Sequence, residues 1–290
     1  GLTLRGGKFF SDFGYINAQH PHQWDFTDQP LFYQLTLGPR GLNDKGLQLA
    51  WLAPTPFYCL LGAEAFQGDN DASFAYDGHA PLPARSGPRV GVGWLKAAPN
   101  LPEPHALQAG VFGAVGRHQE AHDGDADGEP DHWLDGRSAF WGADLVYKYD
   151  APRAYGQGDF VLQGEYGNRR QDLDVVADTR APDRAGAALL GNQDGYYAQA
   201  VYGFLPRWRC GLRWEQVGLV NRTDLSDGTS ADGGASYRAA AMVDVSPSEF
   251  SRFRLQANRG DYATAEGREG VWEVYAQCIV SLGTHGAHRF

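Results

Sequence analysis

The sequence predicts an all-β fold, an antiparallel up-and-down transmembrane β-barrel, and three observations carry that expectation. About twelve stretches alternate apolar and polar residues with the period of a strand. The connections between them alternate between short and long, as tight turns and outer loops do in such barrels. The strands run to ~10 residues, against a mode of ~5–6 in soluble sheets. Composition agrees, because 38 Gly, 13% aromatics and 1 Met suit strands and turns better than helical layers.

The candidate strands are 2–10, 46–53, 56–66, 88–97, 105–115, 137–148, 158–168, 194–205, 207–218, 235–245, 250–259 and 270–282. Short, Pro-rich connections fall at 53–56, 98–104, 149–157, Pro206 and 246–249. Long polar ones fall at 67–87, 116–136, 169–193, 219–234 and 260–269. No linker interrupts the series, so residues 1–290 read as one barrel domain.

The faces are well separated. In 207–214, Arg207, Arg209 and Arg213 oppose Trp208, Cys210, Leu212 and Trp214. Arg252 and Arg254 oppose Phe253 and Leu255, and Arg238 opposes Ala239 and Ala241. The apolar faces carry Trp and Tyr near strand ends (Trp51, Trp94, Trp141, Tyr147, Tyr196, Tyr202, Trp208, Trp272), as interfacial girdles do. A soluble sandwich or lipocalin-like barrel would show the same alternation turned inside out. Strand length, the girdles and a terminal Phe290 favour the membrane.

Residues 11–45 break the pattern. The segment is too long for an ordinary connection and too aromatic for disorder, with Phe13, Tyr15, Trp24, Phe26, Phe32 and Tyr33. No helix or strand of useful length is legible in it. It is expected to fold into the lumen, with residues 12–44 as the constriction.

The totals exclude several classes. A net charge of −10 argues against nucleic acid. No run of ~18 apolar residues exists to make a spanning helix. Cys59, Cys210 and Cys278 are odd in number and far apart, which gives neither a zinc spacing nor a disulfide framework. A start at Gly1 without a signal peptide reads as a processed form or a fragment.

The runs GGKFFSDFGYINAQHPHQWDFTDQPL, YYAQAVYGFLPRWRCGLRW, MVDVSPSEFSRFRLQANR and SLGTHGAHRF resemble a bacterial outer-membrane barrel family. Its members are often labelled TonB-dependent or zinc-regulated outer-membrane receptors. The layout is similar to the phosphate-selective porins O and P, in which an early strand is followed by an in-folded loop. The resemblance implies the C-terminal majority of a roughly sixteen-stranded barrel in the outer membrane of a Gram-negative bacterium. Its surroundings would be membrane lipid and lipopolysaccharide, and a homotrimer is expected by analogy with porins. No TonB box or plug domain is legible, so passive diffusion of small charged solutes is the expected function. A metal-related receptor is the alternative.

Three groups of side chains could carry chemistry. Arg207, Arg209, Arg213, Arg238, Arg252 and Arg254 would form a positive stripe on the pore wall, facing Glu64, Asp144 and Glu165 on other strands and Asp12, Asp25 and Asp28 on the constriction. Opposed rows of charge across a pore sort solutes by charge. His20 and His22, with Trp24 and Asp25 beside them, offer imidazole and carboxylate to Zn²⁺. Asp123, Asp125 and Asp127 with Asp131 match the start of a calcium loop, although Leu134 replaces the final Glu. His118, His122 and His132 make the same loop a transition-metal candidate. No cofactor is required beyond such loop-bound Ca²⁺ or Zn²⁺. No nucleophile and base pair up, so enzymatic activity is not expected.

Overall fold

The computed structural model describes residues 1–123, 129–226 and 228–281. Its strands are β1 (Leu2–Phe10), β2 (Asn43–Leu52), β3 (Tyr58–Phe66), β4 (Val90–Ala98), β5 (His105–His122) and β6 (His132–Tyr149), followed by β7 (Phe160–Asp178), β8 (Ala188–Leu205), β9 (Trp208–Leu225), β10 (Ser230–Asp232), β11 (Ser236–Ser248), β12 (Ser251–Thr264) and β13 (Gly267–Val280). Each long strand pairs antiparallel with the next, and the short β10 pairs only with the end of β9. No ladder joins β1 to β13 among the described residues. All twelve expected strands are present in the expected order.

Several strands run further than their alternation suggested. β5 and β6 continue to a cross-strand pair at His122 and His132, inside what read as a long loop. β7 continues through RRQDLDVVAD to Asp178. Where both faces meet water the apolar–polar contrast fades, yet the backbone ladder continues. Leu134, Leu173 and Val175 form a small core of their own there.

The orientation of the wall is the expected one. Leu212 is 68% exposed and Leu255 58%, while their neighbours Arg213 and Arg254 are each 2% exposed. Aromatic pairs bracket the apolar band: Trp141 with Tyr166 (5.4 Å) and Trp214 with Tyr237 (6.0 Å) towards the long loops, Tyr147 with Phe160 and Phe204 with Trp208 (both 6.4 Å) towards the short turns. Trp94 is an exception. It points inward, 5% exposed, with its indole against Gly62. On β4 the small Gly91 and Gly93 take the outer face, so the largest side chain marks the inner one.

The interior is not simply water-filled. Residues 11–42 leave β1, cross the lumen and return to β2; most of their buried apolar side chains form one core with the inner wall, while Phe26 packs in a second with Val201, Ala240 and Met242. Phe13 packs on Phe112 (4.5 Å) and Phe140 (5.6 Å). Contrary to the sequence reading, the segment contains a short helix, α1 (Leu31–Leu37), entered from Pro30 and ended by Gly38 at φ 69°. Five of its seven residues are buried. A helix wrapped on most sides has no polar stripe, so no amphipathic period announced it. Phe32 fits over the cross-strand pair Gly167 and Gly195, where a Cβ on either would strike its ring or chain.

Candidate functional site

The segment is tied at its neck. Ser11 N donates to Leu42 O (2.9 Å), and the Asn17 amide reaches Ser11 O (2.9 Å), Leu42 O (3.1 Å) and Leu42 N (2.8 Å). Beyond the neck, two walls of the barrel hold it by different chemistry.

On one wall, buried carboxylates accept from the chain. Glu64 accepts from Asp12 N (3.0 Å), from Gln48 Nε2 (2.6 Å) and from the Ser11 hydroxyl. Glu165 accepts from Tyr15 N (2.9 Å), Ile16 N (3.0 Å), Tyr33 Oη (2.8 Å) and the Tyr197 hydroxyl. Burial beside this carboxylate pushes the Tyr33 hydroxyl well up, so it remains a donor.

On the other wall, arginines of β9, β11 and β12 grip the segment. Arg213 Nη2 meets Asp28 Oδ1 (2.7 Å), and its Nη1 donates to Asp28 O (3.0 Å). Arg238 meets Asp28 Oδ2 (2.9 Å) and donates to Gln29 O (2.8 Å). Arg254 donates to Trp24 O (2.9 Å), and Arg209 bridges Asp25 (2.9 Å) and Asp244 (2.6 Å). Glu215, between Arg213 and Arg238, accepts from Leu31 N at the start of α1 (2.6 Å). Burial alone would raise the Asp28 carboxyl. The guanidiniums of Arg213 and Arg238, with Gln256, outweigh it and hold the carboxyl below its ordinary value.

These contacts correct most of the expected pore lining. Arg213, Arg238 and Arg254 are buried clamps, not free wall charges. Arg207 does not face the lumen: it sits at φ 69° in the β8–β9 turn, with its guanidinium over the Tyr155 ring (4.4 Å). Strand parity cannot be carried through a turn, which is why it was misplaced. Glu64 and Glu165 are buried anchors, 4% and 6% exposed. Asp144 is buried beside Glu165, its cross-strand partner, and neither of its oxygens meets a hydrogen-bond donor among the described residues.

Beneath the segment, on the short-turn side, lies an open cavity of about 1500 Å³. Arg5, Lys8, Lys96, Lys148, Arg209 and Arg252 line it against two carboxylates, Asp12 and Asp25. Gln48, Gln108, Gln163 and Gln199 supply amides between them, with Gln199 Nε2 donating to Gln163 Oε1 (3.2 Å). In a chain of net charge −10 this is a local excess of cations. Of the expected stripe, only Arg209 and Arg252 reach the cavity. Lys96, Lys148 and the glutamines were missed, although Gln163 shares the alternating inner face of Glu165 and could have been read from it.

His20 and His22 also line this cavity, stacked with ring centroids 5.6 Å apart. Among the described residues no third ligand joins them, so the expected zinc set is not assembled there. Asp125 and Asp127 lie outside the described residues. Among the described residues Asp131 groups with His122 and His132, one ligand atom of each lying within 4.8 Å of the others. His118 is buried apart from them, its Nδ1 accepting from Ala75 N (3.3 Å).

No family model matches the chain, so the receptor and porin O and P labels find no support. The chain is 38% identical over 301 residues to an uncharacterized protein of Aquifex aeolicus, covering all of this chain and 60% of that protein. It therefore spans less than two thirds of that relative. Among solved structures it is similar to OmpT (in-vitro folded), an outer membrane protein of Vibrio cholerae. The TM-score is 0.51 at 13% identity, over 96% of this chain and 72% of that one. A loop L8 deletion mutant of the same protein gives 0.50 at 12% identity, over 94% and 75%. At these identities the likeness shows the fold, that of an outer-membrane barrel.

Proposed function

We propose that the chain is a porin-like barrel in the outer membrane of a Gram-negative bacterium and passes small anionic solutes by passive diffusion. The observation that carries this reading is the cation-rich cavity under the in-folded segment. Six cationic side chains against two acids raise the local anion concentration, and rings of Arg and Lys are the device anion pores use. The glutamine amides offer donors and acceptors that replace part of a solute's water without fixing it in place. Residues 12–44 act as the constriction, held still by the clamps on both walls. The apolar outer face meets lipid, and lipopolysaccharide surrounds the long-loop end. No bond chemistry and no cofactor take part.

Reconstitution of the purified barrel in a planar bilayer under a KCl gradient tests this. The expected result is ohmic conductance with a reversal potential displaced towards that of chloride. A potassium-selective or absent conductance overturns it.

A further inference from the structure

The tip of the β5–β6 hairpin carries a cluster that the channel reading leaves unused. His122 ends β5 and His132 opens β6, and the two are cross-strand partners with ring centroids 4.7 Å apart. Asp131 stands beside them, and one ligand atom from each of the three lies within 4.8 Å of the others. We propose that His122, Asp131 and His132 form a binding site for a divalent transition-metal ion of the Zn²⁺ class, on the long-loop side of the barrel.

The donor set selects the metal. Two imidazoles and one carboxylate suit Zn²⁺ and its borderline neighbours, whereas Ca²⁺ and Mg²⁺ take oxygen ligands. His132 Nδ1 and Asp131 Oδ1 already stand 3.2 Å apart, about the spacing of two ligands around a tetrahedral ion held at ~2.0–2.2 Å. His122 is exposed, its ring against that of His132.

The carboxylate is already positioned. Asp131 N donates to His122 O (2.9 Å), and Asp131 O accepts from Thr179 N (2.8 Å) and Thr179 Oγ1 (3.0 Å) at the end of β7. Arg180 Nη1 holds Oδ2 (3.3 Å), which turns Oδ1 towards His132 Nδ1 (3.2 Å). Fixed outer contacts of this kind orient ligands in metal sites. Among the described residues three protein ligands converge, one fewer than a four-coordinate ion takes. The site stands apart from the anion cavity, and its test does not depend on conductance.

The test is titration of untagged, detergent-solubilised protein with ZnCl₂ at pH 7.5, followed by calorimetry, with Co²⁺ absorption as an independent readout of tetrahedral geometry. One Zn²⁺ per chain is expected with micromolar affinity. His122→Ala with His132→Ala should weaken binding by roughly 100-fold, and Asp131→Asn by about tenfold. His20→Ala with His22→Ala should leave it unchanged, and Ca²⁺ in excess should not compete. Heat-modified mobility on gels shows that each variant is folded. Absence of binding, retention of binding in the His122/His132 double variant, its loss in the His20/His22 variant, or displacement by Ca²⁺ overturns the proposal.

Discussion

Residues 11–17 and residues 24–31 are two stretches of one in-folded segment, and the barrel holds them by different means. The first hangs from carboxylates: Glu64 and Glu165 accept main-chain N–H groups, while Phe13 sinks into an aromatic core. The second is gripped by guanidiniums, which take both the Asp25 and Asp28 side chains and the carbonyls of Trp24, Asp28 and Gln29. The pairing follows from what each stretch offers. Successive N–H groups in a turn make a nest for an anion, while residues 24–29 turn two acid side chains and three carbonyls to the arginines, and Leu31 N at the start of α1 still donates to Glu215. Charge on the inner wall is therefore placed in two ways: groups buried against the in-folded segment, which fix the constriction, and groups that line the cavity below it, with Arg209 doing both.

The largest effect should come from the arginine side. Asp28→Ala removes one of the two carboxylates that Arg213 and Arg238 share and leaves Glu215 alone between two buried guanidiniums, a loss of the order of 3–5 kcal/mol. Urea unfolding in lipid vesicles should register the loss, and single-channel conductance should rise as the segment detaches. Glu165→Gln should cost less, about 1.5–3 kcal/mol, because an amide oxygen still accepts but without charge. If the two variants prove equal, the difference between the walls has no energetic meaning.

Acid should separate the walls as well. The Asp28 carboxyl is held low in the folded protein, so its anchoring is complete above pH ~4. It is lost as pH falls through the lowered folded value. Wild-type conductance should therefore step up on acidification below pH ~4, whereas Asp28→Asn should already be raised at pH 7 and show no step. A wild type indifferent to acid would remove Asp28 as the main clamp. The smallest effect is expected from Arg207→Ala in the β8–β9 turn, where the guanidinium lies over the Tyr155 ring, away from the cavity lining, so that ion preference should be unchanged.

Much of this fold was legible because period-2 alternation is a local property. Each of the twelve long strands and the outward aspect of Trp208, Leu212, Phe253 and Leu255 followed from it. The in-folded segment was legible as an anomaly of length and aromatic content, but α1 inside it was not, since burial on most sides erased its period. The arginine stripe shows a different limit. Parity placed Arg209, Arg213, Arg238 and Arg254 on the inner wall correctly, yet nothing in their spacing said which would meet Asp28 and which would meet solvent. That assignment depends on where a distant loop crosses the lumen. The pairing of His122 with His132 was visible only as a crowding of histidines, because the extension of β5 and β6 that makes them partners lies in a polar stretch without contrast.

The proposed anion preference comes from the cations that line the cavity, and not from Arg213, Arg238 and Arg254, which are buried against the in-folded segment. Its most direct measurement is the reversal potential, in a KCl gradient, of Arg252→Gln with Lys148→Gln, two cavity residues outside the clamp on Asp28. The expected result is conductance close to the wild-type size with chloride preference reduced or reversed. An unchanged reversal potential in a folded, conducting double variant would contradict it.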